Sequence, residues 1–324
     1  MNIFLSHSTA LSFWRSSRSL SFEMNRPYTT AQPGSDCAGM LKTIESLNLA
    51  EKLGQPIDIM AASPCSRSKR SSVRIHLCSA LSIASSFVRV EGQVYVASPE
   101  LVFVQMAETL STAQLIDLGY ELCGTYRICP SNNRGFADRT RPVTSQRRIE
   151  KFVSEASGVK GVGKARRAAR YILDNAASPM ESKLAMCLCL PPLLGGYGFP
   201  PPQMNRRIPL SDTSKQRLNA DHFEADLYWE NTRSKGTGLA VEYDSDDCHT
   251  GSQRIFSDAV RRNALLYVNV NVFVVSRMQI KDVVQFDRSA HEIARILNLR
   301  LRRPTEQQLQ YRRQLRTELF PFWR

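Results

Sequence analysis

HFEADLYW, residues 222–229, and GLAVEYD, residues 238–244, decide the reading of this chain. In the first stretch Phe223, Ala225, Leu227 and Trp229 alternate with His222, Glu224, Asp226 and Tyr228, the period-two pattern of a strand. In the second, Leu239-Ala240-Val241 is an apolar run suited to an interior strand, and Glu242 follows it directly. A carboxylate in that position is costly unless it is paired or bound to a metal. Asp244 lies two residues further and projects from the same face. If the two strands are antiparallel neighbours joined by a turn at Asn231–Thr237, Asp226 meets both acids. Three converging carboxylates repel one another, and a hard divalent cation bound through oxygen relieves that repulsion; Mg²⁺ is the expected ion, with Mn²⁺ as its substitute. The alternative is an edge strand whose terminal acids are simply solvated.

Outward from these strands the pattern stays regular. SPMESKLAMCLCL (178–190) reads as a helix. Ser178 stands at its N-cap, Pro179 in its first turn and Glu181 at the third position, so the glutamate also completes a capping box. GGYGFPPP (195–202) ends that helix, and Met204–Leu210 forms a short strand. After the acidic strand a polar loop, SDDCHTGSQ (245–253), leads into an amphipathic helix over about 253–267. VFVVS (272–276) then reads as a buried strand and about 279–299 as a long helix. The order of helix, three strands, helix, strand, helix predicts an α/β fold, a mixed sheet flanked by helices.

SPMES, ADLYW, LAVEYDSDDCHTG, DAVRRNAL and VFVVS together resemble the Vsr-like branch of the PD-(D/E)XK nucleases over roughly Ser178 to Leu299. The resemblance implies a restriction-endonuclease-like core and Mg²⁺-dependent hydrolysis of DNA phosphodiesters. By position, Asp226 matches the metal-binding aspartate, Glu242 the (D/E) of the motif, and Glu181 the acid on the preceding helix. The motif's final lysine would fall at residue 244, where this chain has Asp244. A lysine there orients water and stabilises developing charge. Its absence makes His249 the nearest substitute; the alternative is a solvated loop histidine.

The N-terminal half is less regular. A short helix is expected over Ser6–Ser19 and another over Asp36–Leu53. PIDIM ending at 60, VRIHL (73–77), FVRV (87–90) and VYVA (94–97) read as strands, and a Ser98-capped helix and a helix over about 112–123 follow. FLSHSTALSFWR, PIDIM and VYVASPELVFVQMAETLS resemble the AbiEi-like antitoxins of type IV toxin–antitoxin systems, without the winged helix that precedes this region in that family. That resemblance implies an accessory or regulatory role and a possible cognate toxin protein as partner.

The chain carries 43 Lys and Arg against 30 Asp and Glu, a net charge of +13, which points to a polyanionic partner. Residues 131–170 alone hold eleven Lys and Arg against three acids. The first part of that stretch reads as an exposed linker. SGVKGVGKARRAARYI (157–172) resembles the turn and second helix of a helix-hairpin-helix, with a plain Gly-rich linker entering a basic helix as the alternative. Either way Lys164, Arg166, Arg167 and Arg170 form a cationic face suited to DNA phosphates. The last thirty residues hold eight Arg against two Glu. No apolar run is long enough for a membrane span, and the N-terminus lacks a secretory signal, so a cytoplasmic protein is expected. The eight cysteines form no CxxC pair and read as small apolar residues of a reducing compartment.

The expected domains are an α+β part over 1–129, a basic linker and helix over 130–177, the nuclease-like domain over 178–300, and an Arg-rich tail over 301–324. Two functions fit: a Mg²⁺-dependent DNA endonuclease or nickase, or a non-catalytic DNA-binding regulator that keeps a degenerate nuclease fold.

Overall fold

The computed structural model describes residues 1–16, 31–49, 54–63, 72–77, 86–218, 220–230, 238–244 and 269–321. It is a mixed α/β fold, and the chain divides between Ile172 and Leu173 into two units.

The N-terminal unit is built on a five-stranded sheet. Its strands are β1 (Ile3–Leu5), β2 (Ile57–Ala61), β3 (Val73–Leu77), β4 (Phe87–Glu91) and β5 (Val94–Ala97), in the order β3-β2-β1-β5-β4. The last four match the expected runs, whereas β1 was hidden because its three residues lead straight into a helical pattern. β1 runs parallel to β5, with Leu5 opposite Val96, and antiparallel to β2, with Leu5 opposite Ile59. Ile3, Phe4 and Leu5 are buried, and the Phe4 ring stacks on Tyr95 with centroids 4.7 Å apart.

Helix α1 (His7–Arg15) ends four residues before the expected limit of Ser19, and α2 (Cys37–Ser46) ends well before Leu53. Cys37, half-buried at the start of α2, is disulfide-bonded, which corrects the expectation of uniformly reduced thiols; Cys123 and Cys187 are buried, as expected. Helix α3 (Pro99–Met106) starts at Ser98, whose side chain accepts the Leu101 N–H. Leu101 to Val104 are fully buried, as in a helix enclosed on every side. Helix α4 (Thr112–Cys123) begins with a complete capping box at Ser111 and Gln114.

The basic stretch after residue 130 is folded, which corrects its reading as an exposed linker. A hairpin pairs β6 (Tyr126–Ile128) with β7 (Phe136–Asp138), and α5 (Gln146–Glu155) and α6 (Val162–Ala169) follow. Charge obscured the signal: Ile149, Phe152 and Val153 are buried at helical spacing between exposed cations.

The C-terminal unit opens with α7 (Pro179–Cys189), whose Leu184, Ala185, Met186 and Leu188 are fully buried. Its sheet has the order β11-β10-β9-β8, with β8 (Gln203–Pro209), β9 (His222–Glu230), β10 (Gly238–Asp244) and β11 (Val270–Ser276). β8, β9 and β10 form an antiparallel meander, and β10 pairs with β11 in parallel over seven residues. Gly238 is required in β10 because the Tyr228 ring lies across it; a Cβ there would overlap the ring. A short helix α8 (Asp212–Leu218), unforeseen in the sequence, separates β8 from β9.

The long helix expected over 279–299 is two helices, α9 (Arg277–Lys281) and α10 (Val283–Ile296). The break falls at Asp282, whose carboxylate caps α10 through the Val284 and Gln285 N–H groups. The Arg-rich tail forms α11 (Glu306–Leu319), which buries Leu315 and Leu319. It packs against the loop after α7: Arg312 lies 3.9 Å over the Tyr197 ring and pairs with Asp287 at 3.0 Å, and Tyr197 donates to the same carboxylate. The expected helix over 253–267 lies outside the described residues.

Candidate functional site: an acidic pair between two strands

β9 and β10 are antiparallel neighbours, paired from Gly238 with Glu230 to Val241 with Leu227. One step further along the same register, Glu242 faces Asp226. The backbone ladder gives way there to side chains. The Asp226 N–H donates to Glu242 Oε1 at 3.2 Å, and the Tyr243 N–H donates to Asp226 Oδ2 at 2.8 Å. Each carboxylate is thus anchored to the main chain of the opposite strand. The exchange works because the apolar run ends at Val241, so that Glu242, Tyr243 and Asp244 are only half-buried and polar atoms need not be fully desolvated. In the β10–β11 register Glu242 faces Val274 and Asp244 faces Ser276.

Asn205 occupies the corresponding place on β8. It falls between the pairs Met204–Leu227 and Arg206–Ala225, opposite Asp226. Its backbone is left-handed (φ +48°), a conformation asparagine tolerates better than most residues. Its Nδ2 donates to Glu181 Oε2 at 2.7 Å and to the Asn175 carbonyl at 2.8 Å. Sequence reading missed Asn205; the one hint was an amide in the middle of a strand.

Glu181 is almost buried (8% exposed) near the start of α7. Burial pushes its carboxyl above the usual range, and hydrogen bonds from Asn205 and the Ala177 N–H counter that push only in part. Ser178 accepts the Glu181 N–H at 3.2 Å, and Glu181 Oε2 accepts the Ala177 N–H at 2.8 Å. Ser178 thus caps the helix as expected, but the reciprocal half of the box is replaced: the glutamate carboxylate takes the N–H of Ala177, the residue before the N-cap. Asn205 connects it to the strand that neighbours Asp226.

Among the described residues no group of three or more His, Cys, Asp or Glu side chains is gathered to hold a metal ion. The expected convergence of Asp226, Glu242 and Asp244 is thus not assembled; Asp226 and Glu242 alone are tied together, each carboxylate through the backbone of the other's strand. Two such acids fit Mg²⁺, which is commonly held by one or two protein carboxylates and completes its shell with water and phosphate oxygens. His249 lies outside the described residues.

The four cations of the expected DNA-binding face divide into two kinds. Lys164 Nζ donates to the Leu110 carbonyl at 2.8 Å, and Arg166 Nη2 donates to the carbonyls of Val153 at 2.8 Å and Ala156 at 3.3 Å, capping the C-terminal end of α5. Arg167 and Arg170 are exposed and make no hydrogen bond or ion pair among the described residues. Gly161 (φ +85°) serves packing, since a Cβ there would press within 3.0 Å of the Val104 carbonyl on α3.

Comparison with family models, with curated proteins and with solved structures returns no match to this chain. No helix among the described residues is long and apolar enough to cross a membrane.

Proposed function

We propose that the C-terminal unit is a divalent-metal-dependent DNA endonuclease or nickase of the Vsr-like PD-(D/E)XK type. One observation carries this reading: Asp226 and Glu242 stand on neighbouring strands where β9 and β10 part, each carboxylate fixed by a backbone N–H of the other strand. Asp226 and Glu242 are the residues that would hold Mg²⁺ or Mn²⁺. A cation bound there would neutralise charge building on a phosphodiester as water attacks it. The reciprocal anchoring keeps both acids oriented before any ligand arrives. Glu181 acts from behind, through Asn205, on the strand that carries the site's edge. Arg167 and Arg170 are exposed cations for phosphate contacts, and DNA affinity should fall steeply with salt.

A second reading has its own support. Asp244 stands where the motif has lysine, so the group that stabilises developing negative charge is missing from its usual place. In that reading the chain is a DNA-binding regulator of the antitoxin mould, and a cognate toxin protein is its partner.

The deciding experiment incubates the purified full chain with supercoiled, duplex, mismatched and single-stranded DNA in Mg²⁺, in Mn²⁺ and in chelator. The enzyme reading expects metal-dependent cutting that Asp226→Asn and Glu242→Gln each abolish while DNA binding persists. Binding without cutting of any substrate, in either metal, establishes the regulator reading.

A further inference from the structure

A buried polar cluster lies in the N-terminal unit, outside the acidic pair. Its hub is Asp58 in β2, 2% exposed. The Asp58 N–H donates to Thr9 Oγ1 at 2.8 Å, and its carbonyl accepts the Ser6 N–H at 2.9 Å. Of its carboxylate oxygens, Oδ1 takes His76 Nε2 at 2.8 Å and Oδ2 accepts the Ser8 hydroxyl. One residue therefore joins the β1–α1 turn to β2 and, through His76, to β3. Among the described residues β3 is an edge strand with β2 as its one sheet neighbour. The His7 ring lies nearly parallel to the His76 ring, with centroids 3.6 Å and planes 19° apart. His7 itself has a left-handed backbone (φ +45°), held by its N–H donating to Gln105 Oε1 at 2.8 Å.

The proton inventory of this arrangement is tight. An ionised carboxylate only accepts hydrogen bonds, so His76 Nε2 and the Ser8 hydroxyl are both donors. The Ser8 proton is already committed to Asp58, which leaves no activated nucleophile. Asp58 supplies one negative charge to two stacked imidazoles. A single imidazolium is thereby neutralised, whereas a second would face the first at van der Waals distance. The other charge near His7 is Glu108, which follows α3 and is already paired with Lys160 at 3.0 Å.

We propose that His7, His76 and Asp58 form an acid-sensitive latch that holds edge strand β3 and the first turn of α1 on the N-terminal sheet, and that entry of a second proton opens it. Burial lowers the His7 imidazole and the His76 ring lowers it further, to about 4 from 6.5, against the raising influence of Asp58 and Glu108. The released state therefore takes up the proton first. Latch stability is full above pH 6.5 and is lost as pH falls from there toward 4, by at most about tenfold in the opening equilibrium per pH unit. Burial also pushes the Asp58 carboxyl up, but hydrogen bonds from His76 and Ser8 and the histidine charges hold it below its ordinary value. It stays ionised across that window.

The experiment uses the intact chain. Histidine side-chain NMR across pH 7.5 to 3.5 reads the His7 titration. Hydrogen exchange at pH 7, 5.5 and 4, corrected for intrinsic rates, reads the protection of residues 73–77. His7 is expected to titrate near pH 4, and protection of 73–77 to fall on the order of tenfold to a hundredfold between pH 7 and 4 while β9 stays protected. His7→Phe keeps a stacked ring without a titratable proton and should retain protection at pH 4. His7→Asn, which tolerates the same backbone, should behave alike if the phenylalanine variant folds poorly. A His7 titration between pH 6 and 7, protection that does not change with pH, or loss of protection in both variants at the wild-type pH each overturns the latch.

Discussion

Asn205→Gly should destabilise the C-terminal unit by an amount that depends on pH. The side chain makes two hydrogen bonds, to the nearly buried Glu181 carboxylate at 2.7 Å and to the Asn175 carbonyl at 2.8 Å. A hydrogen bond to a charged group contributes about 1.5–3 kcal/mol and a neutral one about 1 kcal/mol. Glycine keeps the left-handed backbone (φ +48°) without steric cost, so the loss of those two bonds dominates, and the expected loss at pH 8 is about 2.5–4 kcal/mol. Asn205→Ala should cost roughly 1 kcal/mol more, because an alanine Cβ is strained in that conformation. Burial raises the Glu181 carboxyl in the folded state, so folded protein takes up a proton before unfolded protein does as pH falls. Losing the Asn205 donor raises the folded-state value further. The penalty of Asn205→Gly is therefore greatest where Glu181 is ionised and should shrink as pH falls from 8 toward 5. Urea unfolding of the intact chain at both pH values, with pulse proteolysis reporting the C-terminal unit, measures it. An equal penalty at pH 8 and pH 5, or alanine tolerated as well as glycine, would refute the coupling of Asn205 to an ionised Glu181.

Three further outcomes follow from the site. Mn²⁺ or Mg²⁺ at a hundredfold above its dissociation constant should stabilise the wild-type chain by about 2.7 kcal/mol, and calorimetry should show no such shift for Asp226→Asn. Asp244→Lys separates the two functional readings by sign. It should create cutting in a degenerate nuclease that lacks only the motif lysine, and reduce an existing activity if Asp244 assists the metal site, in either case by about a hundredfold or more. Replacing Arg167 and Arg170 together should lower the slope of log K against log salt by about two for DNA, whereas Lys164→Ala and Arg166→Ala should lower the melting temperature and leave the slope unchanged.

The acidic pair was legible because strand physics is local. Alternation in β9 sets the face of Asp226, the apolar run before Glu242 sets where β10 becomes half-buried, and antiparallel pairing of the two strands sets the register in which Leu227 meets Val241. The mixed four-stranded sheet of the C-terminal unit follows from the same periodicities. Capping chemistry was legible for the same reason, as at Ser98 and Ser178, where side chain and backbone partner lie three residues apart. It also explains one miss: Asp282 carries a cap signal with Gln285 three residues on, yet the apolar spacing around it reads through as one helix.

What escaped the sequence depends on residues far apart in the chain. Asn205 acquires its role only when β8 turns left-handed at one residue and meets α7. Arg166 looks like a phosphate ligand until α5 presents its terminal carbonyls, and Arg167 beside it, with the same chemistry, points to solvent. Charge counts cannot separate such neighbours, because a guanidinium can donate to a backbone carbonyl as well as to a phosphate. The same limit hid the histidine cluster. His7, Asp58 and His76 are separated by some fifty and eighteen residues, and each alone is an ordinary polar residue near a strand end. Sheet closure brings them together, since β2 pairs with β1 on one side and β3 on the other. The local pattern predicts where an acid can stand, and the distant partner determines whether that acid holds a metal, a helix end or a proton.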